Sequence, residues 1–156
     1  MSAVLPPPAS ACVFELLSPT GSDYATRPIA EAFDWSAVAR PEDAGAWALV
    51  VFRSIRRADA DEARLVELDE AAHQEAAAAP GFVHYFKGPL AEDRSCLSFC
   101  LWADRAAARN ASAGPLHRAA VTITADSYER YALELYRVVK VAGERGFRFE
   151  ALDRHA

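Results

Sequence analysis

Residues 98–120 read SFCLWADRAAARNASAGPLHRAA. An apolar run ends at Trp102, an alanine-rich segment opens at Asp104, and His117 follows a Gly114-Pro115 break. Alternation puts Ser98, Cys100 and Trp102 on one face of an extended segment and Leu97, Phe99 and Leu101 on the other, so Cys96 to Trp102 is expected to be a strand. Asp104 is a suitable N-cap for a helix through about Ala113, because its carboxylate can accept an otherwise unpaired backbone N–H of the first turn. Gly114-Pro115 interrupts that helix. Leu116, Ala120, Ile123, Ser127 and Tyr131 recur at helical spacing and predict a further helix to about Arg130.

Working outward, FVHYF at Phe82–Phe86 reads as a short aromatic strand, joined to the one above by the turn-forming loop KGPLAEDR. Residues 59–79 combine alanine with Leu65, Leu68 and Ala72 at helical spacing. Asp59 or Asp61 can cap this helix and Pro80-Gly81 stops it. WALVVFRS from Trp47 is a continuous apolar run, as in a strand buried on both faces. LELYRVVKV, Leu133 to Val141, supplies a fourth strand, and the tail GERGFRFEALDRHA carries little pattern.

The order strand, helix, strand, strand, helix, strand is the β-α-β-β-α-β arrangement of a ferredoxin-like α+β domain. Residues 46–142 would form it. Residues 1–45 would be an N-terminal extension and 143–156 a C-terminal tail. The extension holds prolines 6, 7, 8, 19, 28 and 41, yet CVFELL and IAEAFDW are too apolar for free disorder and are expected to pack on the domain or a partner. Strands apolar on both faces ask for a second layer, which a homodimer pairing sheet to sheet would provide.

A chain of 156 residues suits one globular domain with a real core. A net charge of -5 without a basic patch argues against nucleic acid or an anionic membrane as partner. No apolar segment approaches the roughly 20 residues of a membrane span, and Pro6-Pro7-Pro8 speaks against a signal peptide. Cys96 and Cys100 on one strand would be roughly 13 Å apart, too far to bridge. With Cys12 they read as reduced thiols of a cytoplasmic protein.

The same residues resemble a known family. Pro80 to Phe86, PGFVHYF, is similar to its second strand, Leu101-Trp102-Ala103-Asp104 to its strand-end tryptophan and helix start, and Pro115-Leu116-His117 to its Pro-x-His element. The family is the dimeric α+β barrel superfamily, in its antibiotic-biosynthesis-monooxygenase-like branch, and the resemblance spans about Trp47 to Val141. It implies a homodimeric barrel and a cleft between sheet and helices. Its implied activities are cofactor-independent monooxygenation of an aromatic or polyketide-like substrate in secondary metabolism, cyclase or isomerase chemistry, or haem degradation. The haem-degrading branch uses an asparagine on the first strand, which WALVVFRS lacks, and a closer spacing than that of Trp102 and His117, so haem degradation is disfavoured; the monooxygenase-like branch implies no cofactor and no metal.

His117 matches a histidine near that cleft, where a neutral imidazole can take a proton from a phenol. Its alternative role is to orient the helix after Pro115. His84, a second candidate base, is in phase with Phe82 and Phe86, so all three are expected on one face, toward ligand or interface. Trp102 would wall the cavity or anchor the core. Arg53 and Tyr136 would bind substrate, the first through an anionic group and the second through an enolate or carbonyl. Asp69 and His73, one helical turn apart, read as a surface pair. Two functions stand: a histidine-dependent monooxygenase, with cyclase or isomerase as its variant, and a non-catalytic homodimer that binds a small ligand or a protein.

Overall fold

A computed structural model of the chain describes residues 12–152, so Pro6-Pro7-Pro8 lies outside the described residues. The described residues fall into two compact units. One holds those up to Ala46 together with Val138–Phe149, and the other holds Trp47–Arg137 together with Glu150 and the residues after it. Strand order in the sheet is β2-β3-β1-β4-β5, with β1 at Gly45–Arg56, β2 at Phe82–Phe86, β3 at Ser95–Trp102, β4 at Tyr128–Lys140 and β5 at Phe147–Ala151. A short helix, α1, is Ile29–Ala32, and α2 is Glu62–Ala77. Beyond β3 come α3 at Arg105–Ser112, α4 at Pro115–Thr122 and the single turn α5 at Thr124–Ser127. This is the expected ferredoxin-like α+β order with a fifth strand added.

The first unit is built on aromatic side chains. Trp35 packs edge-on to Phe149 with ring centroids 5.0 Å apart and lies against Phe147, and its indole N–H donates to the Ile29 carbonyl at 3.0 Å. Tyr24 meets Phe33 edge to face, and Phe14, Ile29, Phe33 and Val38 are buried. FRFEA is therefore a strand, not an unpatterned tail: Phe147 and Phe149 alternate with Arg148 and Glu150, the period-2 signature of a half-buried strand.

In the second unit β1 and β3 pair antiparallel, with Val50 opposite Cys100, Phe52 opposite Ser98 and Ser54 opposite Cys96. Directly paired residues share a face, so one face carries Val50, Phe52, Ser98 and Cys100 and the other Leu49, Val51, Leu97, Phe99 and Leu101. All five residues on the second face are 0% exposed within the single chain. Such burial is what a continuous apolar run in a strand buried on both faces leads one to expect.

Two expectations change. The helix after Gly114 does not reach Arg130: it ends at Thr122, a single turn follows, and β4 starts at Tyr128. Val121, Thr122, Ile123 and Thr124 are four consecutive β-branched residues, which lose side-chain freedom in a helix and weaken it there. Phe82, His84 and Phe86 do not share a face. Phe82 pairs with Trp102, but His84 pairs with Leu101 and Phe86 with Phe99, across a β-bulge between Phe82 and His84. The one extra residue flips everything after it.

Helix ends follow the sequence. The Asp61 carboxylate caps α2 by accepting the Arg64 N–H at 3.1 Å, and Asp104 caps α3 by accepting the Ala107 N–H at 2.8 Å. Gly81 enters β2 with φ +83°, and a Cβ there would stand 2.5 Å from the Ala107 Cβ, so only glycine allows α3 this close.

Candidate functional site

Between the sheet and helices α2, α3 and α4 lies a cavity of about 390 Å3, in the range that holds a small organic ligand. Its floor is the sheet face that carries Trp102: Val50, Phe52, Ser54 and Arg56 of β1, Cys96, Ser98, Cys100 and Trp102 of β3, Phe82 and Tyr85 of β2, and Leu133 and Leu135 of β4. The helices supply Leu65, Leu68, Asp69, Ala72, His73 and Ala76, then Ala108, Ala111, His117, Ala120 and Val121. The alanines of the three helices and the serines and cysteines of the floor are too short to close the gap between layers. Space is left where leucine would have filled it.

His117 sits in the first turn of α4, placed there by two contacts from α2. The Glu75 carboxylate accepts the Leu116 N–H and the His117 N–H, each at 3.1 Å, in the position a side-chain cap would take. Burial pulls the imidazole below its ordinary value of 6.5, while the nearby Glu75 charge pulls the other way. His117 is therefore neutral at pH 7, the form that can accept a proton.

A second polar group lies in the same cavity. Burial pushes the Asp69 carboxyl above its usual range, against the opposing charges of Lys87, Arg56 and His73. The His73 ring stands 4.5 Å from Tyr85, whose phenol is raised well above 10, mainly by burial. Tyr128 and Tyr131, also in the lining, are shifted upward for the same reason. Arg56 has its Nε buried without a hydrogen-bond partner. Asp69 and His73 therefore line the cavity and are not simply a solvated pair, although His73 is an exposed residue.

Of the side chains singled out in the sequence, His117, Trp102 and Phe82 line the cavity. Trp102 is both wall and anchor: it is buried, its indole N–H donates to the Cys100 sulfur at 3.1 Å, and Phe82 meets it edge-on at 5.5 Å. The other four are not in the lining. Phe86 stacks on Phe99 at 5.5 Å, and His84 packs edge-on to the same ring at 6.0 Å. Arg53 is ion-paired with Glu134 at 2.6 Å, and the Tyr136 hydroxyl donates to that carboxylate at 2.8 Å. Register separates the two groups. Once β1 is paired with β3, the face shared with Trp102 is that of Phe52 and Ser54, and Arg53 falls on the other. Applied from Ser98, Cys100 and Trp102, that pairing would also have pointed to Arg56.

Among the described residues, no three His, Cys, Asp or Glu side chains are grouped to hold a metal ion, and no helix is long and apolar enough to cross a membrane. A family model described as PB2B2.08-like matches residues 8–151. The chain belongs to the PB2B2.08-like family. No curated protein matches the sequence of this PB2B2.08-like chain. Solved structures do match its fold. Rv0793 from Mycobacterium tuberculosis aligns with TM-score 0.52 at 21% identity, over 57% of this chain and 91% of its own. A protein described as an antibiotic biosynthesis monooxygenase aligns with TM-score 0.50 at 16% identity, over 56% of this chain and 94% of its own. A putative monooxygenase from Fusobacterium nucleatum aligns with TM-score 0.52 at 11% identity, over 60% of this chain and 44% of its own. The fold is shared with these structures, one of them described as an antibiotic biosynthesis monooxygenase, as the motifs around Trp102 and His117 implied.

Proposed function

We propose that this PB2B2.08-like protein is a cofactor-independent monooxygenase acting on an electron-rich hydroxyaromatic or polyketide-like substrate, with His117 as the base. The reading rests above all on the neutral imidazole of His117 in a cavity of ligand size. Two structural neighbours described as monooxygenases agree with it in fold. Phe82, Trp102, Phe52 and Leu135 offer apolar and aromatic walls to a flat ring. The imidazole takes the acidic proton of the substrate, and the resulting carbanion passes one electron to O2. The radical pair joins as a peroxide that recovers the proton, and loss of water leaves a quinone. One ring CH2 and one O2 thus become one C=O and one H2O, with O2 as the oxidant.

His84, Phe86, Arg53 and Tyr136 are given packing and ion-pairing roles. Cys12, Cys96 and Cys100 are unbridged, which suits a reducing cytoplasm.

The test is turnover of 1,8-dihydroxyanthrone in air, followed by oxygen uptake and quinone absorbance. The expected result is a rate well above buffer that falls about 100-fold or more in His117→Ala, the usual scale for losing a positioned base. A wild-type rate equal to buffer, with the anthrone nonetheless bound, favours the non-catalytic binding function. Equal rates in wild type and His117→Ala remove His117 from the mechanism.

A further inference from the structure

The charges around the cavity run against those of the protein. The chain carries a net charge of -5, yet the cavity is bordered by Arg56, Lys87, Arg105 and Arg109 against a single carboxyl, Asp69. Fixed positive groups around a low-dielectric recess focus the field and draw in anions even when the whole molecule repels them.

Arg56 is the sharpest feature of that group. It closes β1 with its side chain 17% exposed, and its ion pair among the described residues is a long one, from Nη1 to Glu62 at 3.6 Å. Its Nε is buried with no acceptor. A buried N–H left without a partner is costly, so such a group is rarely idle. Nε also belongs to the side-on edge of the guanidinium, the edge whose two parallel donors match the two oxygens of a carboxylate.

Resting on the reading of this cavity as a hydroxyaromatic site, we infer that its substrate is an acid: a hydroxyaromatic carboxylate whose carboxylate is held by Arg56 with Lys87, while His117 addresses the ring hydroxyl. Arg56 supplies the directional fork, and Lys87, exposed at the rim, supplies a point charge that steers the anion in. The aromatic floor accepts the ring between them.

Titration calorimetry with two probes of one ring system tests this: 3-hydroxy-2-naphthoate, which carries the carboxylate, and 2-naphthol, which lacks it. The expected result is at least ten-fold tighter binding of the carboxylate by the wild-type protein, weakening as salt is raised. Arg56→Gln should bring the two affinities within about two-fold by weakening the naphthoate alone. Lys87→Gln, a change at an exposed position, should narrow the preference in part, and it decides the matter should Arg56→Gln fail to fold. Equal binding of both probes by wild type and variants overturns the acid-substrate inference and leaves the cavity reading intact. Binding of neither probe overturns the cavity reading and the inference with it.

Discussion

The Glu75 carboxylate on α2 accepts the backbone N–H groups of Leu116 and His117 on α4, each at 3.1 Å. Gly114 makes that contact possible, because a Cβ there would lie 2.0 Å from Glu75 Oε1. Glu75 is thus a positioning residue for His117. Glu75→Ala should cost about 1 kcal/mol, the usual worth of a helix cap, and should lower kcat more than it raises KM. Gly114→Ala should cost more in the parent than in the Glu75→Ala background, since the methyl group and the carboxylate compete for one space. Urea unfolding of the four proteins checks this. Strictly additive costs would mean that Glu75 and Gly114 do not interact.

The pH dependence follows from His117. Its folded pKa lies below 6.5, so the unfolded chain takes up the proton first as pH falls. This group's contribution to stability is therefore complete above about pH 6.5 and is lost as pH descends toward the folded pKa. The acid limb of kcat/KM should likewise lie below 6.5, since the free enzyme keeps its base neutral to lower pH. NMR titration of the His117 ring protons, assigned by comparison with His117→Gln, checks both. A midpoint above 6.5 would show that the Glu75 charge outweighs burial.

The fold was legible from the sequence because its signals are local. Asp61 and Asp104 cap where expected, Pro80-Gly81 ends α2, and the alternation from Leu97 to Trp102 gives β3 its two faces. The site was legible in part. His117 and Trp102 came from a motif, and Phe82 from an aromatic strand. His84 and Phe86 were assigned to Phe82's face because a bulge leaves no local mark: FVHYF alternates well with or without the extra residue. Arg53 falls outside the lining because residue type does not tell which arginine near the end of β1 turns toward the helices; only the register with β3 does.

The cysteines offer a check on how dry the floor of the cavity is. Burial pushes the Cys100 thiol up to about 12, despite the hydrogen bond from Trp102, and raises Cys96 as well. The thiolate is the reactive form, so both should resist a disulfide reagent at pH 8 while the protein is folded. In a Cys12→Ser variant, treatment with a chromogenic disulfide should label almost nothing within minutes in buffer and two thiols in guanidinium chloride. Rapid labelling in buffer would mean that the floor opens to solvent on that timescale.

Lys140 is the last test, because a lysine 1% exposed is unusual and its partners are all backbone. Its ammonium group donates to the carbonyls of Pro41 at 3.2 Å, Asp43 at 3.3 Å and Val141 at 2.9 Å, and also to that of Glu144. It thus ties the end of β4 to residues 41–43 and to the turn that follows β4. Asp43 is buried beside it and is held ionised by the Arg40 backbone N–H and side chain, which keep its pKa low, with the Lys140 charge adding to the effect. Lys140→Met keeps most of the volume but removes every donor. It takes the donor away from the Asp43 and Glu144 carbonyls, while those of Pro41 and Val141 keep the backbone N–H groups of Gly143 and Glu144, and it deletes the positive charge near Asp43. At about 1–3 kcal/mol for an unpaired buried group, the loss should be about 3 kcal/mol or more. Because all of these groups lie in the unit that excludes the cavity, naphthoate affinity should stay within about two-fold of wild type at temperatures where the variant is folded. A Met variant as stable as wild type would mean that water replaces the ammonium group at no cost, and Lys140 would then be a tolerated residue rather than the tie at the end of β4.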